Sequence, residues 1–166
     1  LLTLGALMII TMTSINQQRS HFLVIEGAYI REQENAALDY ATMRLEHIAN
    51  NKVYDESMAD GSEANIGNMT TVASFGPDAG ETKEEEYDDI DDFHEYTESI
   101  KHALSADTFR FEVSYSIRYV DPSNPSQPIA IPTLAKELTV NVVSADTIGN
   151  RVAKYSGSKI SIASDD

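Results

Sequence analysis

The chain contains no cysteine, which excludes a disulfide framework and any thiolate metal site. Proline is missing from Leu1 to Asn51, and the only glycines there are Gly5 and Gly27. Proline breaks helices because its ring clashes with the preceding turn and it has no N–H to donate. A stretch without it is free to run as one very long helix. Basic residues are scarce: 12 Lys and Arg stand against 27 Asp and Glu, a net charge of −15. A phosphate backbone is repelled by such a surface, so nucleic acid is not an expected partner. No G-x-x-x-x-G-K, G-x-S-x-G or H-E-x-x-H occurs, and no enzyme is expected. The apolar run from Leu1 to Ile15 is short. Fifteen residues of helix cover roughly 22 Å, whereas a hydrocarbon core of about 30 Å needs about 20 residues. Nothing basic precedes the run and no A-x-A-like site ends it, so it lacks the marks of a signal peptide. A start at Leu1 rather than Met fits a processed mature chain, with truncation as the alternative.

What is present has a clear order. At 166 residues the chain is one domain, or a small domain with an appendage. Residues 1–52 are expected to form a single helix, apolar all round over 1–25 and amphipathic over 26–52. In the second part Leu38, Ala41, Leu45 and Ile48 recur at spacings of three and four and form one stripe. Arg31, Glu32, Glu34, Asp39 and Glu46 supply its wet side. Asn50 and Asn51 suit a helix end, since Asn tolerates the left-handed conformation. Residues 53–107 read as an acidic, loop-rich region. Residues 108–166 read as an antiparallel sheet. In TFRFEVSYSIRYVD, Phe109, Phe111, Val113, Tyr115, Ile117 and Tyr119 alternate with polar neighbours, the pattern of a half-buried strand. DPSNPSQP, with three prolines, reads as turn or loop. AKELTVNVVSA alternates again, and a weaker strand is expected within 151–162. The fold class is therefore α+β: a long N-terminal helix whose stripe covers the apolar face of a C-terminal β-meander.

Ten acids crowd the window from Glu81 to Glu98, opposed only by Lys83. Such a run is first a solvated surface. Asp88, Asp89, Asp91 and Asp92 are also candidate calcium ligands, because hard cations take six to eight oxygens and clustered carboxylates supply several. Their spacing does not match an EF-hand loop. His94, beside Asp91 and Asp92, reads as a surface histidine, and Tyr87, Phe93 and Tyr96 as anchors of the acidic segment to the domain. Asn68 opens the tripeptide NMT, an N-glycosylation acceptor pattern.

An apolar opening helix that becomes amphipathic, a loop-rich middle and a terminal antiparallel sheet together resemble the type IV pilins and pseudopilins. YDDIDDFHEYTESI looks like the aspartate-rich segment of a subset of these proteins. FRFEVSYSIRYVDPSNPSQP with KELTVNVVS looks like the strand pair of the same subset. The architecture covers the whole chain and the motifs about a third of it. Gly5 departs from the pattern, since most pilins carry a glutamate there that pairs with a neighbour's amino terminus. The resemblance implies a precursor held in the inner membrane, pulled out by a pilus assembly machinery and packed with identical subunits into an extracellular helical homopolymer. It implies polymerisation through Leu1, Leu2, Leu4, Leu7, Met8, Ile9, Ile10, Met12, Ile15, Phe22 and Leu23. No cofactor is implied beyond the candidate calcium. A minor pilin or pseudopilin of a secretion machine, and a membrane-anchored binding or sensory domain, stand as alternatives.

Overall fold

Residues Leu2–Asn51 form one uninterrupted helix, α1, in the computed structural model of the protein. The structure describes residues 2–59, 61–104, 107–146 and 152–163. The helix ends where the N–H of Lys52 makes a last bond to the carbonyl of Ile48. Among the described residues, no helix is long and apolar enough to cross a membrane.

Five antiparallel strands follow: β1 (Thr97–Leu104), β2 (Asp107–Asp121), β3 (Asn124–Ile129), β4 (Ala135–Ser144) and β5 (Lys154–Ile162). The sheet order is β1-β2-β4-β5, with β3 on β2. The long strand β2 organises the rest. One of its edges takes β1, from Leu104↔Asp107 to Thr97↔Ser114, and then β3 at Tyr119↔Ile129. Its other edge takes β4 from Phe111↔Ser144 to Tyr119↔Lys136, and β4 in turn takes β5. Phe109, Phe111, Val113, Tyr115, Ile117 and Tyr119 are all buried, while Arg110, Glu112 and Arg118 face water. The α+β architecture, a long helix on an antiparallel sheet, is as the alternation requires.

Four details differ from expectation. The helical stripe runs Ile30, Gln33, Ala37, Ala41, Arg44 and Ile48, with Ala36 and Leu45 beside it. Leu38 stands outside it, 38 % exposed, because each residue turns the helix by about 100° and Ala37 already fills the inward position. Small alanines there let the helix lie close to the sheet. The helix covers mainly β4 and β5, and at Gly157 of β5 an added Cβ would sit 3.2 Å from Leu45 Cδ1. Loop residues such as Phe93 and Tyr87 close the rest of the apolar face. The sheet begins at Thr97, inside the segment expected to be loop, because β2 offers TESIKHAL a paired edge. Lastly, Asn124–Ile129 of the proline-rich stretch is a strand rather than a loop. Pro125 and Pro128 are tolerated because β3 is an edge strand, where a missing N–H can face water. Residues 147–151 and 164–166, assigned to the sheet from sequence, lie outside the described residues.

Candidate functional site

Two features carry the chemistry: the bare half of α1 and a buried knot of aspartates around one lysine. On the helix, every described side chain from Met8 to Ile25 is exposed, and burial begins in earnest at Ile30. Met8, Ile10, Met12, Ile15, Phe22 and Leu23 from the expected polymerisation set are each 59–68 % exposed, together with Val24 and Ile25. Leu1, and the side chains of Leu2, Leu4, Leu7 and Ile9, lie outside the described residues. The chain therefore presents a long apolar surface that its own sheet domain does not cover.

The knot is built by the YDDIDDF segment. Tyr87, Ile90 and Phe93, three apart, are buried anchors that fold the chain into a tight turn. The intervening aspartates are thereby turned inward onto backbone donors, the role short acidic side chains play in turns. Asp89 Oδ1 accepts from the N–H groups of Asp91 (2.8 Å) and Asp92 (3.3 Å), and Oδ2 from Glu56 (2.7 Å). Asp92 Oδ2 accepts from Asp88 (2.9 Å) and Asp89 (3.0 Å). Val53 bridges to the same segment through Ile90 N–H to Val53 O at 3.0 Å, so the chain leaving α1 is stitched to it. Into this cluster β4 sends Lys136. Its fully buried ammonium donates to the carbonyl of Tyr54 (2.6 Å), to Asp55 Oδ2 (3.1 Å) and to Asp91 Oδ1. The rings of Tyr54, Phe75 and Tyr119 surround the nitrogen at 4.7–5.6 Å.

A second polar tie holds the helix to the sheet. Arg44 donates to the Tyr115 hydroxyl and to Glu84 Oε1, each at 2.6 Å, and its guanidinium lies over the Phe93 and Tyr115 rings. Tyr115 passes the chain of hydrogen bonds on to Glu98, which also accepts from Tyr40 at 3.0 Å. No family model matches the chain, and neither a curated protein nor a solved structure does. Its chemistry is read from these contacts.

Part of the acidic window is the solvated surface that its composition suggests, with Glu85, Glu86, Asp88 and Glu95 exposed, but Asp89, Asp91 and Asp92 are buried. Nor do the four candidate calcium ligands converge. Asp89 and Asp91 are taken up by backbone donors and Lys136. Among the described residues, the carboxylates that do meet are Glu81, Asp88 and Asp92, with oxygens within 4.8 Å of one another. Three such oxygens fall short of the six to eight that calcium takes, and exposed acids meet this way without an ion. His94 is half-buried and structural, its Nδ1 accepting from the N–H of Ile117 at 3.0 Å. Tyr87 and Phe93 are buried and Tyr96 packs beside them. Asn68 is exposed on the 3-10 turn Ile66–Asn68.

Asp55, Arg44 and Lys136 are the site residues that sequence reasoning missed. For Lys136 a signal existed, since it shares the parity of Leu138, Val140 and Val142 and must point where they point.

The knot makes stability depend on pH. Burial pushes Asp89 up to about 8, with the Asp91 charge adding and Lys136 opposing. Burial pushes Asp92 up to about 7, backbone donors opposing and Glu81 adding. Asp55 is held below the ordinary value: burial opposes this, and Ser57, Lys136 and Thr70 outweigh it. A carboxyl raised in the folded state keeps a proton that the unfolded chain has released above about pH 4. Asp89 and Asp92 therefore withdraw stability as pH climbs from about 4 through 8, whereas Asp55 withdraws it only in more acidic solution. The melting temperature should fall between pH 5 and pH 8, and Asp89→Asn should flatten that fall. A melting temperature that rises across the range would contradict the assignment.

Proposed function

We propose that this chain is a structural subunit of an extracellular, type IV pilus-like helical filament, and that it polymerises through the bare half of α1. One observation carries the reading: a single helix whose described apolar side chains are uncovered as far as Ile25 and whose later turns are docked on a sheet. Burying a large apolar side chain contributes about 1.5–3 kcal/mol, so a run of them supplies upward of about 10 kcal/mol per subunit before ordering costs. A helix that packs head-to-tail among identical helices without closing a ring produces an open fibre. The net charge of −15 suits heads that face water on the outside and mutually repel any other contact. Before assembly the same helix would rest in the inner membrane, from which an assembly machinery would extract it. The role is structural, without catalysis and without a cofactor.

Electron microscopy of filaments sheared from producing cells tests this. The expected result is helical fibres containing this chain along their length, with residues 1 to about 25 in the core and the sheet outside. Sparse or tip-only labelling would favour a minor pilin or pseudopilin. Retention of all the protein in the membrane fraction, with no labelled fibre, would reject the filament and favour a membrane-anchored domain.

A further inference from the structure

The surroundings of Lys136 are more than those of an ordinary ion pair. Its Nζ is fully buried, held from two sides by the Tyr54 carbonyl and Asp55 Oδ2, and directed by them at the carboxyl of Asp91. Three aromatic rings wall the nitrogen off. Asp89, also buried, stands next to Asp91 and accepts its backbone N–H on Oδ1 at 2.8 Å. One lysine thus meets two carboxyl groups, with a third beside them, in a site almost closed to solvent. We propose that Lys136 and Asp91 condense without any enzyme into an intramolecular amide, Nζ of Lys136 bonded to Cγ of Asp91.

In water an ammonium and a carboxylate do not condense, because hydration holds both in their charged forms. Burial strips that hydration away, so passing one proton from the ammonium to the carboxylate it touches costs less here than in water and sets an amine against an acid. The amine lone pair then attacks Cγ, and the C–O bond to one Asp91 oxygen breaks. Of the three ammonium protons, one stays on nitrogen as the amide N–H. The other two leave with the departing oxygen as water, so atoms and charge balance and no oxidant or co-reactant is needed. Asp89 carries a proton from the nitrogen side to the leaving oxygen and ends in its starting state. Its raised affinity for protons, to about 8, suits it to that exchange at neutral pH. Fixing both partners in contact replaces a bimolecular encounter by a unimolecular step, which is the main source of rate in such a site. Asp55 keeps its donors from Ser57 and Thr70 after the cation is gone, so the product leaves no orphaned charge there.

The bond would fasten the aspartate turn, which belongs to no strand, covalently to β4. This holds whether or not the chain forms filaments.

Intact mass of the purified full chain under denaturing conditions decides the question. The expected mass is one water less than the sequence requires. Trypsin should fail to cut after Lys136 and should yield a branched peptide joining residues 84–101 to residues 119–151. Lys136→Met and Asp91→Ala should each restore the full mass. Asp89→Asn should fold and lose most or all of the linkage, the readout that a purely structural Asp89 would not move. Wild-type protein that is folded, has the unmodified mass and is cut after Lys136 overturns the proposal. So does a lost water that maps elsewhere, such as a succinimide. Full linkage in Asp89→Asn overturns the proton-carrying role. If that variant does not fold, the wild-type mass and the branched peptide still decide.

Discussion

Phe111→Ala is expected to cost the folded protein about 3–5 kcal/mol, the range for a large aromatic removed from a packed core. The ring is fully buried on β2, where Phe111 pairs with Ile100 of β1 and Ser144 of β4. Its neighbour Phe109 lies 6.3 Å away by ring centroid and is held from the helix side by Tyr29 at 5.0 Å. Truncation would open a void beside Phe109 in the middle of the sheet, with β1 and β4 paired to β2 on either side. Strands fixed by their own hydrogen bonds have little freedom to collapse into it, so the cavity cost is retained. Ser116, on the outer face of the same strand, is the control, and Ser116→Ala should stay within about 0.5 kcal/mol. Chemical denaturation of both variants measures the contrast. Equal effects would mean that the inward register of β2 is wrong.

Replacing Ile10 and Ile15 together by Asp should abolish assembly altogether. Both side chains are exposed in the subunit, so the substitutions break no contact in the head and its melting temperature should be unchanged. In a fibre core the two new carboxylates would be enclosed by apolar neighbours. The effective penalty of burying an unpaired ion is several kilocalories per mole, which repeats at every subunit and offsets the apolar gain. Fibre yield, measured by sedimentation and microscopy, is the readout. Normal fibres from the double variant would show that this stretch does not lie in the interface.

How far the sequence alone revealed these features depended on whether burial and polarity agreed. Phe109 to Tyr119 was legible because one face of β2 is core and the other is water, which writes a period of two into the residues. β4 and, more weakly, β5 were legible for the same reason, whereas the end of α1 was marked by Asn50 and Asn51. Leu38 misled because it is greasier than Ala36 and Ala37, yet the close helix–sheet approach selects small side chains. β1 is invisible in TESIKHAL, whose residues have little strand preference, since its conformation is supplied by the edge of β2. The aspartate knot was the largest gap. Composition marked it as solvated, although Tyr87, Ile90 and Phe93 at intervals of three already implied that the segment is anchored inward. Its partner could not be found that way. Lys136 is 45 positions beyond Asp91, and no periodicity connects a turn to a distant strand.

The sheet's outer strands bear on crowding. In a fibre the heads would be held at very high local concentration, where any unpaired strand invites a neighbour to add itself on. Each outer strand carries a deterrent. β1 has Lys101, β3 has Pro125 and Pro128, and β5 has Lys154 and Lys159, the last reaching to Asn50 of α1 at 3.4 Å. Lysine makes edge-to-edge zipping unfavourable by burying charge, and proline removes the donor that zipping needs. A chain with only 12 basic residues spends three of them on these edges. In the proposed fibre the heads could then be pressed side by side without merging their sheets, which would leave the order of stacking to the helix.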